Sequence, residues 1–399
     1  MIRHLIRLTW NRRRTYPLLI AEITISFLVV LVVVSSAATF LRRYRLPMGF
    51  DPRNVWAVTC DVNASGFFDE RSQEEHERQL LLLREVRGLP EVAHASYVFS
   101  APYGPHSSTT TLDKEKDLSV ETNVAGDDAL ATLGLRLVEG RWFEPGDGQL
   151  NIEPIVIDQR MRRLVFRDGK AVGEEWAETN DERSRKHLVI GVLEAFRRGG
   201  ELKEPLPYFF YRDHPEKASS LPLKTLVIRL RPGTPTAFEE TLISRLRALA
   251  PAWSFTVEPL TEARRRHLQE MTTPLLIGGL LAGSLLLMVA LGLVGVLWQT
   301  IIRRTHEIGI RRSLGATAGD IQRQIVGEVM VVTSLGLALG FALALQAPLL
   351  PPVRALGLHF YGLCVVLAAA GIYALNFLCA MYPSRLAAKV VPADALRYE

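Results

Sequence analysis

The clearest pattern along the chain is a set of four long apolar segments that contain almost no charged residues. They cover residues 18–40, 275–302, 329–347 and 355–382. Each has about the 20 residues that a helix needs to cross a hydrocarbon core roughly 30 Å thick. The second segment has 28 residues without a charge and would reach about 42 Å as a helix, so we expect it to tilt or protrude. The pattern therefore predicts four transmembrane helices.

Between the first and second apolar segments, the residue pattern changes to that of a folded domain of mixed secondary structure. A strand, an amphipathic helix and a second strand are predicted twice, over residues 55–100 and 223–260. Thr234 is the candidate N-cap of the second of these helices. Two βαβ units of this kind can pair in one sheet as a ferredoxin-like split βαβ layer, which is the fold that we predict here.

The region between the two units, about residues 109–213, has mostly strand and loop patterns, with a short helix near Asp127. We interpret it as an inserted, mostly-β subdomain. Residues 261–273 are polar, fit a helix and lead into the second apolar segment without a turn signal. This pattern predicts a helical stalk that carries domain motion into the bilayer, and a solvated linker is the alternative interpretation.

Basic residues predict how these segments are oriented in the membrane. Five arginines precede the first helix, five lie between the second and third helices, and three Lys or Arg residues follow the fourth. Four spans place these three clusters on one side, and the positive-inside rule makes that side the cytoplasm. Both termini are then cytoplasmic, and the large domain lies on the other side of the membrane. The net charge of +5 follows from this topology, so we do not interpret it as a sign of nucleic-acid binding.

The predicted fold is an α-helical membrane protein with four transmembrane helices and an α+β extracytoplasmic domain between the first two. A cleavable signal peptide is the alternative for helix 1, but its uncharged run, residues 23–40, exceeds the usual 7 to 15 residues, so we predict a retained anchor.

The predicted segments are a cytoplasmic basic lead-in (1–17), helix 1 (18–40), the extracytoplasmic domain (41–273, with the βαβ layer at about 50–108 and 214–260, the inserted subdomain at about 109–213 and the stalk at 261–273), helix 2 (274–302), a cytoplasmic loop (303–324), helix 3 (325–347), an external loop (348–357), helix 4 (358–382) and a cytoplasmic tail (383–399).

The sequence contains no arrangement of residues that points to catalysis. The stretch HEIGI begins like the zinc motif HExxH, but Ile310 stands where the second histidine is needed. No G-x-S-x-G nucleophile motif occurs, and Lys170 lies in a stretch that lacks the other residues of a P-loop. We therefore predict that the protein is not an enzyme and binds no metal or cofactor itself.

Two carboxylates, Glu22 and Glu328, lie near the predicted cytoplasmic ends of helices 1 and 3. An ionisable residue inside a span is by default a functional candidate. Each of the two could instead reach the headgroup region or bond to a neighbouring helix. The sequence has no chain of intramembrane carboxylates of the kind that would indicate proton coupling.

The loop after the second helix, RRTHEIGIRRSLGAT, predicts a short helix that ends in a turn. Thr305 can cap its start, Glu307 lies in the positive first turn, and Arg311 and Arg312 lie in the negative last turn. Glu307 and Arg311 are also spaced as an i, i+4 ion pair. Gly315 can end the helix in a left-handed conformation.

A second helix start follows directly. Thr317 is placed as an N-cap with Asp320 at the third helical position, which is a capping box, so the chain turns sharply into the third membrane helix. Ile308, Ile310 and Leu314 give the short helix only a thin apolar face. An interfacial helix resting on anionic headgroups is one interpretation, and a protein surface is the partner that such a thin face favours.

These motifs resemble those of FtsX/MacB-type permeases of ABC transporters. The loop is similar to that family's E-I-G-[IV]-R-[RK]-x-[LI]-G-A run, with Glu328 as the glutamate at the head of the third helix. GRWFEPGD, which starts at Gly140, resembles a recurrent motif of the family's external domain. The tail is similar to the family's ending at Pro383, Ala387, Ala388, Pro392, Ala395, Leu396, Arg397 and Glu399.

The resemblance also implies a mechanism. In such permeases the loop after the second helix is a coupling helix that docks on an ATPase subunit, and two permeases assemble around two ATPases, which bind ATP and Mg. ATP-driven closure moves the external domains through the stalks, a mode called mechanotransmission. The coupling-helix residues carried over are Glu307, Ile308, Gly309, Ile310, Arg311, Arg312, Leu314 and Gly315.

Because the sequence shows no nucleotide-binding domain, we expect the ATPase to be a separate protein. The expected function is efflux or extrusion of a peptide, antibiotic, siderophore or lipid-linked substrate. The expected partners are a second permease (the same chain or a paralogue), membrane lipid, a periplasmic adaptor and an outer-membrane channel. The alternative is a signalling or scaffold subunit that activates an external cell-wall hydrolase or senses antimicrobial peptides, because fold alone does not select a function.

Overall fold

The computed structural model describes residues 16–62, 73–113, 118–150, 152–167, 169–177, 186–213, 225–346 and 357–387. The chain forms two compact units. We call residues 43–271 the sheet unit, and residues 1–42 with 272–399 the helical unit. The predicted lead-in up to residue 15 and the family-like ending from residue 388 lie outside the described residues.

The helices and strands in chain order are α1 (Tyr16–Tyr44), β1 (Val55–Val62), α2 (Gln73–Arg87), β2 (Val92–Val98), β3 (Ser108–Asp113), β4 (Leu118–Ala125), α3 (Ala129–Leu133), β5 (Leu137–Gly140), β6 (Glu153–Asp158), α4 (Gln159–Val165), β7 (Glu175–Ala177), β8 (Lys186–Leu193), β9 (Tyr208–Arg212), β10 (Thr225–Leu230), α5 (Phe238–Leu249), β11 (Trp253–Pro259), α6 (Leu260–Arg303), α7 (Thr305–Ser313), α8 (Ala318–Ala344) and α9 (Leu358–Ala387). A 3₁₀ helix, Pro145–Gln149, lies between β5 and β6.

The sheet unit is built on the predicted split βαβ layer. Its strand order β11-β1-β10-β2, with every neighbour antiparallel, is that of a ferredoxin-like sheet. Helices α2 and α5 cover one face, where Leu82 and Leu242 pack against Trp56 and Val58 of β1. The alternate residue Val55 belongs to the core on the opposite face. The first half of β1 is therefore covered on both faces, whereas on the Val55 face the strand ends in Thr59, which is partly buried, and Asp61, which is exposed.

The middle region, which is inserted in sequence between β2 and β10, extends this same sheet. Its strands continue the order as β4-β9-β6-β8-β5, with β3 paired to β4 and β7 to β8. The two parts meet at β2 and β4, where Val98 lies opposite Ala125. Both residues also belong to one core cluster that contains Phe196 and Phe210. The local sequence pattern predicted an insert but does not show which of its strands pair with the rest of the sheet.

The predicted N-cap of α5 is wrong. The helix begins at Phe238, with Ala237 in the capping position and no side-chain cap. The Thr234 hydroxyl instead donates to the Arg231 carbonyl, 2.8 Å away. Three successive i to i+3 backbone hydrogen bonds, starting at the Pro235 carbonyl, lead into the helix. Tight turns of this kind are common at helix starts, and they move the first α-helical residue beyond the position that Thr234 could cap.

Four helices in the described part of the chain are long and apolar enough to cross a membrane, as predicted. Helix α6 has 44 residues and covers both the predicted stalk and the second span. Small residues let α1 and α8 approach closely in the helical unit. A Cβ on Gly336 would lie 2.8 Å from a side-chain atom of Ile23, and one on Gly340 would lie 2.5 Å from the Phe27 ring.

Polar side chains also join these membrane helices. Thr24 of α1 donates to the backbone carbonyl of Gly336 at 2.9 Å, and the Asn376 amide of α9 donates to the Thr333 hydroxyl of α8 at 2.9 Å. Asn376 and Thr333 are both fully buried. Interhelical hydrogen bonds of this type add to close packing as a source of helix association in lipid.

Asp158 is an unusual carboxylate in the core of the sheet unit. It caps α4 by accepting from the Met161 amide at 2.8 Å, and the same Oδ1 accepts from the Tyr208 amide at 3.1 Å. In the described part of the chain no group donates to its buried Oδ2. Burial raises the pKa of this carboxyl to about 6. The folded carboxyl therefore ionises less readily than the same carboxyl in the unfolded chain.

We expect Asp158→Asn to stabilise the protein at pH 7.5 and to give no advantage at pH 4. The folded carboxyl holds its proton to higher pH than the unfolded one, so its contribution is full below about pH 4 and is lost as the pH rises through about 6. The loss is worth up to about 3 kcal/mol. Asparagine keeps the capping oxygen without the charge. Thermal unfolding of the purified chain at the two pH values measures the difference.

Asp147→Asn is the opposite-sign control. The Arg141 guanidinium holds the pKa of Asp147 below its usual range, so this carboxylate stabilises above its unfolded pKa and stops doing so as the pH falls through its lowered folded pKa. Asp147→Asn should therefore destabilise the protein at pH 7.5. Equal pH profiles for the two variants would contradict the assignment for Asp158.

Candidate functional site

The predicted short helix is present as α7, a nine-residue helix between α6 and α8. Its end is closed by two backbone hydrogen bonds, from the Gly315 amide to the Arg312 carbonyl and from the Ala316 amide to the Arg311 carbonyl. These are the two bonds of a Schellman motif. Gly315 has a φ of +98°, a conformation that side chains with a Cβ rarely adopt. The predicted turn at Gly315 is confirmed.

The predicted cap at Thr305 is wrong. The N-cap of α7 is Arg304, which makes no side-chain cap. The Thr305 hydroxyl donates backwards to the carbonyls of Ile301 and Ile302, at 3.1 and 2.9 Å. Because α7 follows α6 after a single residue, the last carbonyls of α6 need donors, and the hydroxyl of Thr305 supplies one.

The start of α8 has the predicted capping box. The Asp320 amide donates to the Thr317 hydroxyl at 3.2 Å, and the Thr317 amide donates to the Asp320 carboxylate at 3.0 Å. Helix α8 therefore begins at Ala318, earlier than the predicted start of the third span at residue 325. The Schellman turn and the capping box together reverse the chain within four residues, from Leu314 to Thr317.

A chain of polar side chains holds α7 against α8. Arg304 donates to both carboxylate oxygens of Glu328 at 3.0 Å. Gln324 donates to Glu328 at 3.3 Å and accepts from Arg311 at 2.6 Å. Arg311 also pairs with Glu307, as predicted from their spacing. We call these five residues the joint network.

The most buried part of the joint network is its ion pair. The side chains of Arg304 and Glu328 are only 14% and 12% exposed. Glu328, one of the two predicted membrane carboxylates, thus bonds to Arg304, outside its own helix. Bonding to a neighbouring helix was one of the two alternatives to a functional role. Arg304 and Gln324 were not singled out from the sequence, although Gln324 and Glu328 have the i, i+4 spacing of neighbours on one helix face.

The candidate docking residues divide into a buried and an exposed set. Ile308 and Gly309 are buried, and Ile308 belongs to the core of the helical unit. They pack α7 in place and do not contribute to its outer face. The exposed residues are Glu307, Ile310, Leu314 and Gly315, while Arg311 and Arg312 are partly exposed. Leu314 is 82% exposed and Ile310 is 41% exposed. We call the exposed set the α7 face.

The second membrane carboxylate, Glu22, lies apart from the joint network in different surroundings. It is half-buried on α1 and faces Gly292 of α6, where an added Cβ would lie 3.4 Å from a carboxylate oxygen. The glycine therefore leaves space for the carboxylate between the two helices. The structure brings together α7, Glu328, Thr317 and Asp320 at one end of α8, and it leaves Glu22 out of that group.

Comparison with known proteins covers both units. The family model for the MacB-like periplasmic core domain matches residues 18–244, and that for the FtsX-like permease C-terminal region matches residues 279–392. Among curated relatives, the macrolide export ATP-binding/permease protein MacB of Chromobacterium violaceum is 27% identical over an alignment of 326 positions, gaps included, which covers 74% of this chain and 46% of that protein. The protein of the same name from Salmonella paratyphi A is 26% identical over an alignment of 410 positions, gaps included, which covers 98% of this chain and 59% of that protein. The chain thus spans about half the length of the curated relatives it matches.

Solved structures with low similarity also match. The periplasmic region of MacB from Actinobacillus actinomycetemcomitans aligns over 55% of this chain and 94% of that chain, with 14% identity and a TM-score of 0.38. The extracellular domain of the ABC-type transporter YknZ from Gram-positive bacteria aligns over 51% of this chain and all of that chain, with 16% identity and a TM-score of 0.35.

We expect Glu328→Leu to lower the stability of the chain by about 3 kcal/mol, because it leaves the buried Arg304 charge without its partner. The double variant Arg304→Met with Glu328→Leu should lose less than this single variant, since a buried ion pair replaced by apolar residues of similar volume is often neutral. Thermal unfolding of the detergent-solubilised chain measures both. A double variant less stable than Glu328→Leu would show that the pair is not coupled as the geometry indicates.

Proposed function

Because the chain belongs to the FtsX/MacB-type permease family, whose MacB-like core domain matches more than half of it, we propose that it is the permease subunit of an ABC transporter that works by mechanotransmission. An ATPase subunit binds and hydrolyses ATP with Mg. The α7 face receives the motion of that subunit. The sheet unit, on the extracytoplasmic side, uses the motion to extrude a substrate.

The observation that supports this proposal best is a rigidly held helix with an exposed apolar tip. Leu314 and Ile310 are exposed between charged residues on a helix that is too short to be stable alone. Exposed leucine and isoleucine beside a polar rim are typical of a surface that binds another protein. The joint network fixes this surface to α8, so force applied to the α7 face moves the membrane helices instead of bending a loop.

The path from the α7 face toward the sheet unit is a continuous helix. Helix α6 begins directly after β11 and ends one residue before α7. Hydrogen bonds between successive turns make such a helix stiff along its axis, and Pro274 removes one of these bonds in α6. A displacement at Arg303 is therefore carried along α6 to its first residue, Leu260, which is buried in the core of the sheet unit. This continuity supports motion transfer along α6 as the mode of action.

We propose an inner-membrane location with both termini in the cytoplasm, as the basic residues beside the predicted spans favour. Curated relatives are named macrolide export proteins, and we propose an export substrate of the wider class that includes peptides, antibiotics, siderophores and lipid-linked molecules. A second permease completes the transporter. A periplasmic adaptor and an outer-membrane channel are the partners expected in cells that have an outer membrane.

The α7 face is tested by Leu314→Ser. We expect this variant to bind the ATPase that co-purifies with the tagged chain at least about tenfold more weakly, because an exposed apolar anchor at an interface contributes roughly 1.4 kcal/mol or more. ATP hydrolysis by the complex should fall in parallel. Binding is measured by titrating the purified ATPase onto the chain in nanodiscs.

Leu345→Ser is the matched control for this variant. Leu345 is 77% exposed and is the C-cap residue of α8, just as Leu314 is the C-cap residue of α7. It lies at the opposite end of α8 from the joint network. The control should bind the ATPase like the parent. Equal binding by all three proteins would contradict the assignment of the α7 face.

A further inference from the structure

A loop in the sheet unit, residues 195–204, is fixed to the core by one aromatic residue. It joins β8 to β9 and contains Phe196, which is 1% exposed. The Phe196 ring packs against Tyr208 and Phe210 of β9, with ring centroids 4.7 and 4.9 Å apart. The base of the loop is therefore part of the folded core and moves with the sheet.

Next to Phe196, the side chain of Arg197 forms hydrogen bonds with the last turn of α1 and with the chain that follows it. Arg197 is 4% exposed. Its guanidinium donates to the backbone carbonyls of Arg43, Leu46, Glu201 and Lys203. Its own amide donates to the Met48 carbonyl at 3.0 Å. A planar guanidinium with five N–H donors can serve several carbonyls at once, and Arg197 uses it to tie residues 43–48 to the loop.

Arg43 returns the contact from the end of α1. Its guanidinium donates to the Leu202 carbonyl at 3.1 Å and pairs with Glu204 at 3.4 Å. The loop and the end of α1 are thus connected in both directions. An exposed ion pair adds little by itself, so the buried Arg197 contacts supply most of the attachment.

The same loop is also bonded to the start of α6. Glu201 is 2% exposed, and one of its carboxylate oxygens accepts from Arg264 of α6. The other accepts from the Tyr103 hydroxyl at 3.2 Å. The Tyr103 ring packs near His267, one turn further along α6, with centroids 5.8 Å apart. A buried carboxylate with both oxygens occupied holds its partners in a defined geometry.

We propose that the 195–204 loop is a clamp that makes the end of α1 and the start of α6 move as one body with the sheet, with Arg197 and Glu201 as its positioning residues. This inference rests on the proposed function, because it names the residues that pass stalk motion to the sheet unit. Without the clamp, the start of α6 would keep its continuity with β11, the packing of Leu260 and the Arg266–Glu258 ion pair, but it would lose its bonds to the loop, and so would the end of α1.

The clamp is tested with Glu201→Gln and Arg197→Lys in the full chain. Glutamine keeps the size of Glu201 but loses the ion pair with Arg264, and lysine keeps the charge of Arg197 without its planar fork. The matched control is Asp127→Asn, which removes a carboxylate charge from a second partly buried ion pair of the sheet unit, Arg212–Asp127 at 2.7 Å. Stability of each variant is checked first by thermal unfolding.

Spin labels at two exposed positions, Arg163→Cys and Arg265→Cys, report the distance between the sheet and α6. Cys379, which is partly exposed, is replaced by serine. Pulsed electron resonance on the chain alone, in nanodiscs, should give one narrow distance distribution for the parent and for Asp127→Asn. Both clamp variants should give a broader distance distribution than the parent. If Arg197→Lys does not fold, Glu201→Gln decides, and a distribution as narrow as that of the parent overturns the clamp.

A second measurement distinguishes a loss of ATP-driven motion transfer from a loss of folding stability. In the complex with the co-purifying ATPase, ATP turnover by Glu201→Gln should stay close to the parent value, while ATP-driven movement of the Arg163 label should fall about fivefold. A variant that only loses stability, with movement unchanged, overturns the clamp. If the parent label itself does not respond to ATP, the proposed function fails, whereas the distance distributions of the chain alone still decide whether the loop holds α6.

Discussion

The organisation of this protein depends on one constraint, which is that backbone N–H and C=O groups cannot be left unpaired in hydrocarbon. The apolar segments of this chain therefore cross the membrane as helices. Every change of direction must occur at a helix end, where the free backbone groups find other partners. Between α7 and α8 those partners are the Schellman bonds to Arg311 and Arg312 and the capping box of Thr317 and Asp320.

A helix end that is closed by its own hydrogen bonds is also a firm surface, which links the folding constraint to function. The Arg304–Glu328 pair lies where α6, α7 and α8 meet, and Gln324 and Arg311 extend it to the outer face of α7. A docking surface on a mobile loop would absorb displacement. A surface held by a partly buried ion pair passes it to the membrane helices, as the proposed mode of action requires.

Firm attachment matters in the sheet unit as well, where it comes from strand pairing and from loop contacts. Its strands form one continuous sheet around shared cores, so a force applied at any firmly attached point moves the whole unit. Arg197 attaches the end of α1 through backbone carbonyls, which any sequence would present, whereas Glu201 attaches α6 through a specific partner, Arg264. Both attachments start from a loop whose base is the buried ring of Phe196.

The sequence by itself determined the features that depend on neighbours along the chain. The four membrane helices, the split βαβ layer, the Gly315 turn and the capping box at Thr317 follow from hydrophobic period and local hydrogen bonding, and the structure contains all of them. Sequence reasoning failed at Thr234 and Thr305, whose hydroxyls bond to preceding carbonyls instead of capping. Tertiary structure alone decided that the middle strands join the main sheet, that Ile308 and Gly309 face inward, and that Arg304 meets Glu328 and Arg197 meets Arg43. These contacts join residues far apart in sequence, and their partners are selected by packing and by the need to satisfy buried polar groups, which no local pattern records.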